Sequence, residues 1–185
     1  MIGKKLKRSF YARDTVAVAK ELLGTYLVHR IGGQKRVGRI VETEAYLGCH
    51  DLASHSSKGK TKRNAAVFGP VGHAYVYLIY GMYECMNVVT ERQGKGAAIL
   101  IRAVEPVKNC NGKTSGPGLL CKQMGITRAR NGDDLLGENI YICASQNPVL
   151  VSVVARPRIG VDYAGAWAKR LLRFYIKGNT FVSKR

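Results

Sequence analysis

The sequence predicts an α+β fold, a single domain mixing short helices with antiparallel hairpins, and three observations carry that expectation. The first is size: 185 residues, 46% apolar and 23% charged, suit one globular domain able to bury a proper core. No linker composition divides the chain, and no short repeat unit is evident. The second is the stretch Ala74 to Thr90, AYVYLIYGMYECMNVVT, in which two runs of aromatic, β-branched and long apolar residues flank Tyr80-Gly81-Met82-Tyr83. That pattern suits paired strands around a reversal, with Gly81 able to supply the positive φ of a tight turn. The third is that helical spacing is confined to short segments.

In order along the chain, Asp14 suits the N-cap of a helix from Thr15 to Leu23, with Val16, Ala19 and Leu23 on one face and Gly24 as its stop. Thr25 to Arg30 and Val37 to Tyr46 read as strands joined across Gly32-Gly33. Ala97 to Val104 is an apolar strand interrupted by Arg102 and expected to end at Pro106. Thr114 to Gly118 opens a short helix reaching Met124, with Pro117 in its first turn and Gly125 at its stop; its free amide groups can hold a phosphate. Asn139 to Ala144 and Val149 to Val154 read as core strands, and Arg156 to Gly160 as an extended basic turn. Tyr163 to Arg173 has helical spacing with Trp167 and Leu171 inward, and Gly178-Asn179 precedes an expected C-terminal strand.

Thirty Lys and Arg against 12 Asp and Glu give a net charge of +18 and a pI near 10. The charge is spread over Lys4 to Arg8, Lys58 to Arg63, Arg128 and Arg130, Arg156 and Arg158, and Lys169 to Lys177, so a folded surface rather than a tail carries it. Nucleic acid is the favoured partner, ahead of an anionic membrane or an acidic protein. No stretch approaches transmembrane length, and no apolar run follows the basic N-terminus as in a secretory signal. The expected location is therefore intracellular: bacterial cytoplasm and nucleoid, or the nucleus of a eukaryote. Five cysteines, Cys49, Cys85, Cys110, Cys121 and Cys143, form no CxxC pair and read as reduced thiols.

Chemistry concentrates in a few places. A hairpin tip carrying Tyr80, Met82 and Tyr83 is costly to leave in water, which implies a partner that covers it. In VETEAY the strand period puts Glu42, Glu44 and Tyr46 on one face, either a solvated face or the place of a catalytic carboxylate. An arginine within an apolar run needs an anion if buried, and Glu44 or Glu42 is the natural one for Arg102; an edge strand with Arg102 in water is the alternative. His50, Asp51 and His55 can be read as a metal site, although a third protein ligand is not obvious, or as structural and pocket groups. Lys58 to Asn64 looks like a phosphate-contacting loop, a composition that a merely solvated loop shares. Two rival classes stay open: a non-catalytic nucleic-acid-binding module, which leaves the in-phase Glu42 and Glu44 unexplained, and a metal-dependent phosphohydrolase.

VETEAY, DLASH, YVYLIYGMY with CMN, LIRAVEP, TSGPG, RPRIGVDYAG and RFYIKGN occur in one order. Together they resemble the alkyladenine (3-methyladenine) DNA glycosylase family, over Ser9 to Lys184. The resemblance implies a single mixed α/β domain around a curved antiparallel sheet, with the aromatic hairpin projecting into the DNA minor groove. It implies excision of alkylated and deaminated purines from double-stranded DNA by a monofunctional enzyme, expected to be a monomer without cofactor or metal. Glu44 then looks like the water-activating base, helped by Arg102 and the backbone carbonyl near Ile159. Tyr80 resembles the residue that fills the gap left by the flipped nucleotide, supported by Met82 and Tyr83. Tyr46 and His55 correspond to one wall of the base pocket and Tyr77 to the other, with Asn87 on the floor and His55 also a candidate proton source. Lys60, Lys62, Arg63 and Asn64 are the expected DNA-backbone contacts. Cys49, Lys62 and Val71 stand where proline is common in relatives, and Leu171 where some relatives also have it.

Overall fold

The structure, a computed structural model, describes residues 2–185. In chain order its elements are β1 (Ile2–Lys5), α1 (Arg8–Tyr11), α2 (Thr15–Glu21), β2 (Tyr26–Ile31), β3 (Gln34–Tyr46), β4 (Ala74–Ile79), β5 (Tyr83–Val89), β6 (Ala98–Lys108), α3 (Pro117–Met124), β7 (Ile140–Ser145), β8 (Val153–Arg156) and β9 (Arg173–Ile176). Short 3₁₀ turns lie at Ala65–Phe68, Arg128–Arg130 and Asp162–Lys169. The nine strands form one unclosed antiparallel sheet in the order β1-β7-β2-β3-β6-β5-β4, to which β9 adds along β3 and β8 adds to β9.

Strand β3 is the axis of this arrangement because both of its edges are used along most of its length. One edge pairs with β6 from Val37 to Tyr46; the other pairs first with β2 and then, at Glu42 to Glu44, with β9. Pairing along both edges places β3 in the interior of the sheet, and Glu42 and Glu44 are fully buried rather than on a solvated face. The pairing of β3 with β6 shifts register at three points, irregularities of the kind that bend a strand. Beneath them lies the main core, where Val41, Ala45, Val76, Met86, Val88, Ile99, Ile101 and Ala103 meet α2 and α3.

Local signals explain the helices that formed. The Asp14 carboxylate accepts the Ala17 N–H at 2.9 Å and caps α2. Pro117 begins α3, and Gly125, in the left-handed region, ends it.

Four expectations are corrected. Strand β6 does not stop at Pro106 but runs to Lys108, since Pro106 sits where β3 shifts register and its missing N–H is tolerated. Val149 to Val154 is not a core strand: only Val153–Arg156 is extended, and Leu150 is fully exposed. Tyr163 to Arg173 is not a helix, because Gly165 takes φ 58°, ψ −126° in mid-segment while Arg173 is drawn into β9 and Leu171 faces water. Among the described residues no strand follows Gly178-Asn179; the strand precedes them as β9. Among the described residues no helix is long and apolar enough to cross a membrane.

Candidate active site

Four neighbouring strands put one face on the core and the other on a cavity of about 450 Å³. From β3 come Glu44 and Tyr46, from β4 Tyr75, Tyr77 and Ile79, from β5 Cys85 and Asn87, and from β6 Ala98, Leu100 and Arg102. The walls are completed by His55, by Gly116 to Leu119 at the start of α3, and by the Ile159 to Val161 segment. The aromatic hairpin forms one lip, and Tyr83 lies so close to Gly118 that a Cβ there would stand 2.7 Å from its ring. A glycine is thus required where the hairpin meets α3.

At the back of the cavity Glu44 is 0% exposed and held on every side. Its Oε1 accepts the Ile159 N–H at 2.8 Å and faces Arg102 Nη1 at 3.3 Å, while its Oε2 accepts the Tyr46 hydroxyl at 2.9 Å. Glu42, its companion on the same face, is held deeper by Arg173 at 2.9 Å, Arg102 at 3.3 Å and the Ser183 N–H at 2.7 Å. The sequence left Glu42 and Glu44 as alternatives for Arg102; the guanidinium bridges both. Burial opposes the Arg102 charge, but the two carboxylates outweigh it and raise its pKa. Burial first, then the Glu44 carboxylate, push the Tyr46 phenol well above its ordinary value, so Tyr46 stays a donor to Glu44.

His55 reaches the Tyr75 hydroxyl through Nδ1 at 3.0 Å and meets Tyr77 edge to face, ring centroids 4.4 Å apart. Desolvation and then the Arg63 guanidinium lower its pKa, an effect limited by the exposure of the residue. The Asn87 amide donates to the Tyr75 carbonyl at 3.0 Å and lies near that of Cys85, leaving its oxygen to meet a ligand. Asp51 is buried and spent: its carboxylate accepts from Leu47 N–H, Ala53 N–H and, through both oxygens, from Arg158. Its oxygens are thus engaged within the protein, and among the described residues no three His, Cys, Asp or Glu side chains gather as a metal would need.

The sequence profile of the family described as methylpurine-DNA glycosylase (MPG) matches residues 9–180. The chain belongs to this methylpurine-DNA glycosylase family. It is 60% identical over 181 residues to a protein of Legionella pneumophila (strain Corby), covering 98% of this chain and 99% of that one. It is 55% identical over 182 residues to one of Myxococcus xanthus (strain DK1622), with coverage of 97% and 93%, and 54% identical over 181 residues to one of Anaeromyxobacter sp. (strain Fw109-5). These three relatives carry the provisional name 3-methyladenine DNA glycosylase.

In this member of the methylpurine-DNA glycosylase family, Glu44, Tyr46, His55, Tyr77, Asn87, Arg102 and Ile159 all line the one cavity. Ile159 meets Glu44 through its N–H. His55 and Tyr77 touch, so a base lying between them must first part them. Tyr80 and Met82 are exposed at the hairpin tip, and Tyr83 is half inward on Gly118. Lys60, Lys62 and Arg63 are on the surface, with Arg63 donating to the Leu78 carbonyl at 3.0 Å and so tying its loop to the hairpin. Asn64 is corrected: it is buried, and its amide clasps the loop from within by binding His55 O, Gly59 O and Thr61 N–H. Arg158 and Arg173 are buried ion-pair members rather than surface cations. Reading the sequence missed the Asp51–Arg158 pair and the pocket wall from Gly116 to Leu119; the helix start at Pro117 was the available hint for the second.

Proposed function

We propose that the protein is a monofunctional DNA glycosylase that flips an alkylated or deaminated purine out of duplex DNA and hydrolyses its N-glycosidic bond with an activated water. The observation that carries this reading is a fully buried, hydrogen-bonded Glu44 at the back of an aromatic cavity of about 450 Å³, a volume typical of small-ligand sites. A stacked base is out of reach, and extruding it costs a few kcal/mol. Stacking on an aromatic ring returns about 1 to 3 kcal/mol per base, so Tyr46 and Tyr77 around the base, with Tyr80 in the vacated stack, are of the right size to balance the cost. Weakly paired bases cost less to extrude, which contributes to selectivity.

As the bond to the base breaks, positive charge develops on the sugar, and a carboxylate beside it both stabilises that charge and takes the proton of the attacking water. Glu44 serves both purposes, with Arg102 and the Ile159 segment fixing the carboxylate and the water. An alkylated purine is already a good leaving group. For a neutral lesion, desolvation and then the Arg63 guanidinium disfavour the imidazolium form of His55, in keeping with a packing and hydrogen-bonding role beside that of proton source. No lysine is among the lining residues described, in keeping with water rather than an amine as nucleophile. Among the described residues the three buried arginines are matched by three buried carboxylates, so the +18 resides outside the core, where it can meet phosphates.

The direct test is a panel of duplexes carrying one alkylated purine, one hypoxanthine or undamaged purines. Free base should be released from the damaged duplexes, with strand nicking only after alkali and no adduct trapped by borohydride. Release of no base, or a stoichiometric trapped adduct, defeats the reading.

Strain at the tip supports the wedge role of Tyr80. The turn closes with Met82 N–H donating to the Ile79 carbonyl, and both central residues, Tyr80 (φ 54°) and Gly81 (φ 69°), are left-handed. Only Gly81 was expected to be. A non-glycine residue there costs on the order of 1 to 2 kcal/mol, and 80% exposure of the Tyr80 ring returns little of it in packing. Tyr80→Asn supplies the Asn-Gly pair that such turns favour, and should raise the unfolding free energy by about 1 kcal/mol. The same variant should lose the fluorescence signal of a base analogue placed beside a flipped lesion. A variant less stable than wild type, or one that flips equally well, removes the wedge argument.

A further inference from the structure

We propose that the buried Asp51–Arg158 pair is a positioning device for Glu44, acting without touching the substrate. This inference rests on the glycosylase reading above. Arg158 is 5% exposed and Asp51 0%. Arg158 Nη1 donates to the Ala45 carbonyl at 2.9 Å, between Glu44 and Tyr46, and its guanidinium lies 4.7 Å from the centre of the Tyr46 ring. The next residue, Ile159, gives Glu44 Oε1 its N–H. One side chain therefore stands behind two of the bonds that hold the carboxylate: the Tyr46 hydroxyl and the Ile159 amide.

Asp51 fixes that side chain and a third segment. Its Oδ1 accepts from Arg158 Nη2 at 2.8 Å and from the Ala53 N–H at 3.0 Å, and its Oδ2 accepts the Leu47 N–H at 3.0 Å. The loop so shaped carries His55 to the cavity mouth. The pair thus pins the end of β3, the His55 loop and the Ile159 segment to one point, although its partners are 107 residues apart in sequence. A buried ion pair adds little net stability over well-packed apolar groups, and registry is its best-attested use.

The test is a double-mutant cycle of Arg158→Lys with Glu44→Gln on an alkylated-purine duplex, following single-turnover excision, half-saturating enzyme concentration and thermal unfolding. Lysine keeps the charge but cannot reach Asp51, Ala45 and the Tyr46 face together. Arg158→Lys should slow excision at saturation at least tenfold, leave half-saturation within about twofold, and cause no further loss in the Glu44→Gln background. Equal losses in both backgrounds, or a loss confined to half-saturation, overturn the proposal. If Arg158→Lys does not fold, Asp51→Asn, which keeps the loop's shape, takes its place in the cycle; if neither folds, the pair is a stability element and the proposal is overturned. Wild-type excision in the same assay separates the two ideas: without it the glycosylase reading fails, and with it but no coupling only the positioning role fails.

Discussion

Glu44→Gln should lower single-turnover excision at least a hundredfold while binding to lesion-containing duplex persists. Glutamine keeps the shape and can still accept the Ile159 N–H, but it cannot take a proton from water and carries no charge to face the developing cation. General-base catalysis contributes about 10² to 10⁴-fold, roughly 3 to 5 kcal/mol of barrier, and the lost charge adds to that. The fold should survive, since Arg102 keeps Glu42 at 3.3 Å as a partner. Rapid-quench excision with enzyme in excess measures the effect. A folded variant with near wild-type rate would remove Glu44 from the catalytic position.

Glu42→Gln should do the reverse and act on stability. Glu42 is 0% exposed and is the only carboxylate within ion-pair distance of Arg173 among the described residues. Neutralising it leaves two guanidiniums, Arg102 and Arg173, sharing a buried site with Glu44 alone nearby, and breaking a buried pair in this way costs about 3 to 5 kcal/mol. Urea unfolding should show that loss. Excision by the fraction that remains folded should fall far less than in Glu44→Gln, because Arg102 retains its contact with Glu44. If Glu42→Gln is as stable as wild type but inactive, the two glutamates have been assigned the wrong way round.

What was legible in the sequence was local. Asp14 before an apolar helix pattern, Pro117 and Gly125 around α3, and the period-two runs of β3 and of the aromatic hairpin each fix geometry within a few residues. The alternation in VETEAY put Glu42, Glu44 and Tyr46 on one face, and the break made by Arg102 in an apolar run left two choices, an edge in water or a buried anion, of which the second is found. What remained hidden depends on residues distant in the chain. No local pattern couples Asp51 to Arg158, or Glu42 to Arg173 at a separation of 131. Those pairings turn two arginines counted with the surface charge into internal ones. Where Tyr163 to Arg173 reads as a helix, the apolar spacing was real, but Gly165 and the pull of β9 on Arg173 decided otherwise. Asn64 looked like part of a polar surface loop because composition does not tell which side chain of a loop turns inward.

The two-sided sheet gives this chain something like a reading frame. In β3 and β6 the even-numbered residues, Glu44, Tyr46, Ala98, Leu100 and Arg102, face the cavity, and the odd-numbered ones between them face the core; in β4 and β5 the parity is reversed, with Tyr75, Tyr77, Cys85 and Asn87 on the cavity side. Inserting or deleting one residue within any of these strands exchanges the two sets beyond the lesion in register. The outcome is not a graded loss of activity but a carboxylate, an arginine or a tyrosine driven into the apolar layer and an isoleucine or valine delivered to the cavity. Substitutions can be sampled one position at a time here, whereas length variation is confined to the loops between strands.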